Sequence, residues 1–338
     1  MRVYAGIDLH SSNNYVGIIN EQDQRLYQKR LPNRLEHILE ALEPFKESLQ
    51  GVVVESTYNW YWLVDGLQDE GYKVHLANPS AIKQYEGLKH TDDRWDSFWL
   101  AHMKRLNILK EGYIYPKEQR PVRDILRRRL LFVRHRTSHI LSLQSAITRN
   151  LSYKMSSREI KKLDQSDADQ LFDEPFLILS ARNSIAAIRF LGERIKEIEK
   201  AVKSHIKVKP EFKYLLTMPG IGDILALTIM LEVGDISRFP KVSNYSSYCR
   251  AVKSERLSNK KKKGEGNRKN GNKYLAWAYV EAANFAIRSY PEFQSFYNRK
   301  KAKTNGIVAI KALSNKLARS SYYVMRDQVP YDANHLFR

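Results

Sequence analysis

Within the first 109 residues, short apolar runs rich in valine and isoleucine alternate with segments of helical spacing. Val3 to Leu9 reads as a strand. Tyr15 to Asn20 is a second, and the polar Glu21-Gln22-Asp23-Gln24 turns it into a third, Arg25 to Leu31. Leu35, Ile38, Leu39 and Leu42 then recur at helical steps. Gly51 to Glu55 is a short strand whose Val52, Val53 and Val54 carry the stiff, branched side chains that favour sheets. Trp60 to Leu67 is helical and ends near Gly71, and Tyr72 to Ala77 is a fifth strand, stopped by Asn78-Pro79. A helix is expected from Trp95 to Leu109. Such a chain must bury a mixed sheet under helices.

Acidic residues stand at the edges of these segments. Asp8 closes Val3 to Ile7, Glu55 closes the valine run, and Asp93 and Asp96 open the last helix. Two carboxylates at strand ends and two at i, i+3 on a helix can converge on one point. Carboxylates so gathered repel one another and call for cations. Oxygen ligands favour Mg²⁺ or Mn²⁺ over zinc. Asp92 offers an alternative third ligand; Asp93 is preferred because it keeps the three-residue step to Asp96. Each acid also has an ordinary reading: Asp8 capping a turn, Glu55 pairing with an arginine, Asp93 as a helix N-cap. The order of strands and helices is that of a ribonuclease-H-type domain, and the acids fall where that fold places its metal ligands.

The whole chain of 338 residues is strongly basic, with 57 Lys and Arg against 37 Asp and Glu and a net charge of +20. That excess favours a polyanionic partner, nucleic acid before an anionic membrane. No apolar run approaches the roughly 20 residues that span a bilayer. The N-terminus leads directly into a strand, unlike a signal peptide. Cys249 is the only cysteine, which excludes an internal disulfide framework and a thiolate zinc site. These features point to a cytoplasmic protein.

Beyond a first domain at 1–120, residues 121–209 change character. Arg123, Arg127, Arg128, Arg129, Arg134, Arg136 and Arg149 decorate a long helical stretch, with Arg127 and Arg128 as candidate phosphate contacts. Ile185, Ile188, Leu191, Ile195, Ile198, Val202 and Ile206 form a stripe that resembles a short coiled coil and a possible dimer interface. Residues 210–338 are expected to form a third, mainly helical domain. There Pro219-Gly220-Ile221-Gly222 matches the turn of a helix-hairpin-helix, with Gly220 and Gly222 exposing backbone N–H groups to a phosphate. The same turn can simply join two packed helices. Residues 253–273 carry Lys260, Lys261, Lys262, Lys263, Arg268 and Lys269 among glycines, the composition of a mobile loop that binds phosphates without sequence preference. Ser258, just before the lysines, is a candidate nucleophile, with Ser254 its nearest competitor.

These pieces together resemble a DEDD transposase of the insertion-sequence 110 family. The resemblance rests on Gly6-Ile7-Asp8, Val54-Glu55-Ser56-Thr57, Asn78-Pro79 and Thr91-Asp92-Asp93-Arg94-Trp95-Asp96-Ser97. It continues through Met218-Pro219-Gly220-Ile221-Gly222, Ser254-Glu255-Arg256-Leu257-Ser258 and Lys269-Asn270-Gly271-Asn272, and so covers nearly the whole chain. It implies a RuvC-like N-terminal domain whose Asp8, Glu55, Asp93 and Asp96 bind Mg²⁺. It implies a C-terminal transposase domain with Ser258 as nucleophile. It further implies donor and target DNA as substrates, a structured guide RNA encoded by the element, and a dimer or tetramer whose composite site draws on different subunits. In a prokaryotic cell such a protein works at the nucleoid. The chain departs from the family at Ser97, where a small alanine is usual, and at Leu257 and Asn259, which flank Ser258.

Three other functions fit parts of the chain. A junction nuclease would use the same acids with water as nucleophile. A non-enzymatic nucleic-acid binder would not need Asp8. Gly6 to Asn13 also resembles the first phosphate loop of actin-like sugar kinases, but residues 110–338 carry no second glycine-rich phosphate loop.

Overall fold

A computed structural model of the chain describes residues 1–78, 93–205, 210–259, 261–265 and 270–333. The chain divides into two compact units, Met1–Lys117 with Arg256–Asn270, and Glu118–Glu255 with Gly271–Arg338.

The first unit is built on β1 (Val3–Leu9), β2 (Asn13–Asn20), β3 (Arg25–Pro32), β4 (Leu49–Glu55) and β5 (Val74–Ala77), with α1 (Leu35–Leu42), α2 (Tyr61–Asp69) and α3 (Asp93–Arg105). The sheet order is β3-β2-β1-β4-β5. β1, β2 and β3 are antiparallel neighbours, while β4 pairs in parallel with β1 and β5. This mixed, helix-flanked sheet is the expected α/β architecture, consistent with a RuvC-like fold. Alternation explains the pairing: Val3, Ala5, Ile7, Val52 and Val54 join one apolar cluster with Ile38, Leu42, Leu63 and Leu67 from α1 and α2. Val53 and Ala77 point the other way and pack with Leu100 and Met103 of α3.

The helix α3 lies unusually close to the sheet. Gly6 and Gly17 pair across β1 and β2. A Cβ on Gly6 would stand 2.0 Å from the Ser97 backbone oxygen, and one on Gly17 would stand 2.7 Å from Ser97 Oγ. Two side-chain-free positions side by side form a window into which the helix backbone settles.

The second unit comprises α4 (Arg120–Leu151), α5 (Ser157–Ile160), α6 (Asp167–Leu171), α7 (Pro175–His205), α8 (Pro210–Leu215), α9 (Asp223–Val233), α10 (Val242–Tyr248), α11 (Lys273–Ser289), α12 (Pro291–Lys303) and α13 (Gly306–Asp327). Residues 121–209 and 210–338 therefore lie in one unit. Leu126, Ile198 and Val202 belong to the same apolar cluster as Leu215, Ile221, Leu275 and Leu317, so no boundary between compact units falls near residue 210.

The isoleucine stripe is not an open interface. α7 packs along α4, and Ile185, Ile188, Leu191, Ile195, Ile198 and Val202 are all buried within the chain. Ile206 lies outside the described residues. α9 is predominantly apolar and is buried throughout from Leu225 to Val233, with Thr228 and Glu232 as its buried polar residues. No helix among the described residues is long and apolar enough to cross a membrane.

The basic segment differs from its expectation as a loop. It contains β6 (Arg256–Ser258) and β7 (Lys261–Gly264), paired antiparallel with Ser258 opposite Lys261. Asn259 adopts the left-handed conformation, φ 51°, that a tight two-residue hairpin turn requires. Backbone pairing needs no apolar side chains, which is why composition concealed it.

Candidate active site

Parallel pairing of β1 with β4 places Ile7 opposite Val54. The next residue on each strand, Asp8 and Glu55, therefore emerges at the same end of the sheet. Asp8 is 3% exposed and Glu55 is half-buried. Burial pushes the Glu55 carboxyl up to about 7, assisted by a hydrogen bond with Asp8 and by the Asp8 charge, while His10 acts in the opposite sense. The two carboxyls share a proton or require a cation.

His10 was not singled out in the sequence, although its position two residues after Asp8 is the signal that brings it back to the same side of the chain. Its Nε2 lies 3.2 Å from Asp8 Oδ2, and its ring packs edge-on against Tyr15 at 6.4 Å.

α3 supplies the remaining acids. Ser97 is fully buried in the Gly6–Gly17 window, so its neighbour Asp96 is fixed on a helix seated on β1 and β2. Asp96 is half-buried. Asp93 is the first residue of α3, and its side chain lies outside the described residues, as do Asp92 and Pro79. Among the described residues, no three His, Cys, Asp or Glu side chains are gathered closely enough to hold a metal ion. Asp8 and Glu55 are the pair brought together. Their chemistry fits a hard divalent cation: oxygen donors, buried, raising one another's affinity for positive charge.

Ser258 ends β6 and is exposed, whereas Ser254 is half-buried. The hairpin that carries Ser258 groups with the sheet unit rather than with the helices that precede and follow it. Lys261 and Lys263 are exposed on β7. Lys260, Arg268 and Lys269 lie outside the described residues, as does the side chain of Lys262.

Arg127 is already engaged by a carboxylate. Its Nε donates to Glu232 Oε1 at 2.5 Å and its terminal nitrogen to Oε2 at 2.7 Å. Arg123 Nε and Asn272 Nδ2 donate to Glu232 Oε2 at 3.1 and 2.7 Å. Burial opposes the Glu232 charge, but these donors outweigh it and hold the carboxyl below its ordinary range. Arg128, one residue on, is exposed.

Gly220 also has a packing reason. It has φ 77°, and a Cβ there would stand 2.1 Å from the Ala282 backbone oxygen. A groove of 660 Å³ beside this turn is lined by Leu216, Trp277, Phe285 and Tyr290, with the cations Arg129 and Lys203 beside the carboxylates of Asp223 and Glu281; Lys203 pairs with Asp223 and Arg129 with Glu199. Gly222 is exposed at the start of α9. Of the aromatic residues after Glu55, Trp60 is buried in the core, while Tyr58 is 82% exposed.

Comparison with known proteins accounts for the arrangement. A family profile for DEDD transposases of the IS110 type matches residues 5–150, and the profile described as "Transposase IS116/IS110/IS902 family" matches residues 212–298. The transposase for insertion sequence element IS1328 of Yersinia enterocolitica is 22% identical over 326 residues, covering 94% of this chain and 95% of that protein. The pilin gene-inverting protein of Moraxella bovis is 29% identical over 303 residues, covering 85% and 84%. The transposase for element IS1111A of Coxiella burnetii is 23% identical over 235 residues, covering 68% and 63%. Matched in both halves and along nearly all its length, and bearing paired acids at the heart of its sheet, the chain belongs to the IS110 family of DEDD transposases.

Proposed function

We propose that this transposase cleaves and rejoins DNA strands with Asp8, Glu55, Asp93 and Asp96 as ligands for divalent metal, Mg²⁺ or Mn²⁺, and Ser258 as nucleophile. The observation that carries the reading is the close approach of the Asp8 and Glu55 carboxyls, which adds to burial in pushing the Glu55 carboxyl up to about 7. A buried carboxylate pair is unfavourable as anions unless positive charge is supplied. Bound metal would supply charge neutralisation at the scissile phosphate.

The chain's own groups do the rest. Asp8 and Glu55 stand side by side on neighbouring strands, and α3 sets Asp96 and Asp93 one turn apart. Ser258 Oγ forms a bond to phosphorus as the bond from phosphorus to the 3′ oxygen breaks. The 3′ oxygen leaves as a hydroxyl, taking up the proton that the serine gives up. One phosphate ester is exchanged for another, so strand exchange proceeds without ATP. Lys261, Lys263 and Arg128 contact the phosphate backbone, and Gly222 presents its backbone N–H at the start of α9. The excess of basic residues suits a structured guide RNA as well as donor and target DNA, with a dimer or tetramer supplying a composite site.

The test is an adduct assay with the full chain, element RNA, donor DNA and Mg²⁺. Wild type and Ser254→Ala yield a covalent protein–DNA species; Ser258→Ala and Asp8→Asn do not. An undiminished adduct from Ser258→Ala overturns the serine assignment. Free 5′ phosphate ends with no adduct mark a nuclease that uses water.

A further inference from the structure

The backbone just after Asp8 is held from two sides. The carbonyl of His10 accepts a hydrogen bond from Asn33 Nδ2 at 2.9 Å and another from Asn59 Nδ2 at 2.9 Å. Both lone pairs of one carbonyl are thus taken by side chains from different connections. Asn33 sits between β3 and α1, and Asn59 sits between β4 and α2.

Neither amide is free to turn over. Asn59 Oδ1 accepts from Thr57 Oγ1 at 2.8 Å, which leaves its nitrogen directed at His10. Asn33 Oδ1 accepts from Asn14 Nδ2 at 3.0 Å, with the same result. Asn14 is fully buried and also reaches the carbonyl of Pro32 at 3.3 Å. Thr57 N in turn donates to the carbonyl of Glu55 at 2.9 Å. A continuous chain therefore runs from the Glu55 carbonyl through Thr57 and Asn59 to the carbonyl two residues beyond Asp8. A second chain anchors the same point to the end of β3.

We infer that Asn33 and Asn59 are positioning residues for the carboxylate site: through the His10 carbonyl they lock the segment that follows Asp8 to the segment that follows Glu55. This rests on the reading of Asp8 and Glu55 as metal ligands. β1 and β4 stop pairing with each other at Ile7 and Val54, one residue short of the acids, while Asp8 stays paired with Tyr15 of β2 and Glu55 with Ala77 of β5. The ladder between these two strands therefore does not by itself fix the separation of the acids, and the asparagine links carry the connection beyond its last pair. Side chains that orient ligands in this way govern affinity for metal more than they govern folding.

The experiment measures Mn²⁺ binding to the purified full chain without nucleic acid, by electron paramagnetic resonance of the free ion, beside thermal melting of the metal-free protein. Asn33→Ala and Asn59→Ala each weaken Mn²⁺ affinity about tenfold, and the double variant weakens it further, with melting within about 4 °C of wild type. Asn59→Leu keeps the volume, lacks the donor, and gives the same loss. Unchanged affinity in the double variant, while Asp8→Asn abolishes binding, overturns the positioning role alone. Affinity that falls only in step with melting overturns it too, since the links would then be merely structural. Binding that survives Asp8→Asn removes the metal-ligand reading, and this inference with it.

Discussion

Gly6 of β1 lies directly beneath Ser97 of α3, so that a single added carbon on residue 6 would stand 2.0 Å from the Ser97 carbonyl oxygen. The obstruction is backbone, which cannot swing aside as a long side chain can. Gly6→Ala must therefore lift α3, and with it Asp96, off the sheet. We expect a loss of about 1–3 kcal/mol of stability, the usual cost of overpacking, and a loss of strand cleavage out of proportion to the melting change. Parallel measurements of urea unfolding and adduct yield check this.

The acid pair makes the metal-free protein sensitive to pH. Glu55 binds its proton up to about 7 in the folded chain against an ordinary 4.5. The stability linked to that proton is complete below about 4.5 and is lost as pH rises through about 7. Melting of the metal-free protein should fall across that window, and Mg²⁺ should restore it at the alkaline end. Asp8→Asn removes the neighbouring charge, so it should flatten the profile and raise the melting temperature by about 2–4 °C above neutrality. A variant that melts with the wild-type profile would show that the two carboxyls do not interact.

In the helical unit the most exposed liability to mutation is Glu232, a single buried carboxylate serving Arg123, Arg127 and Asn272. Glu232→Leu strands two guanidinium groups in a buried site and should cost about 3–5 kcal/mol, as breaking one side of a buried ion pair does. Its lowered pKa means that the network's contribution is present above the ordinary carboxylate range and is lost in acid. Urea titrations at neutral and acid pH should show the wild type and variant converging as the pH falls.

The return of the chain from the basic hairpin is equally constrained. Gly271 has φ 88°, and a Cβ there would stand 2.5 Å from the Tyr248 carbonyl oxygen. Its own carbonyl accepts Arg250 Nε at 3.0 Å. Gly271→Ala should shift the start of α11 and so the attachment of the hairpin. We expect reduced adduct formation with Mn²⁺ binding unaltered, a separation that the two assays read directly.

Much of the sheet could be read from residues alone because its physics is local. Branched valines, a polar turn at Glu21 to Gln24 and a stop at Asn78 identify strands without reference to distant partners. Asp8 and Glu55 were legible because parallel strands end at the same edge. Gly17 was not, since a glycine within a strand does not reveal which helix rests above it. Arg127 looked like a phosphate contact because its partner, Glu232, lies 105 residues away. The lysine-rich hairpin looked like a loop because strand pairing there is made by backbone groups that composition does not record. Asn33 and Asn59 were illegible for a related reason: two polar side chains far apart in sequence acquire meaning only once they meet at one carbonyl.

The hairpin bearing Ser258 joins the sheet unit as residues 256–270, after more than a hundred residues of intervening helices. A polypeptide still emerging from the ribosome thus completes its acidic strands early and receives the Ser258 hydroxyl only after the long helices α4 and α7 have been made. A truncated or stalled product has the acids without that serine. On the serine assignment proposed above, order of synthesis alone withholds the ability to form a protein–DNA bond until the hairpin has been made, a safeguard that needs no inhibitor and no separate activation step.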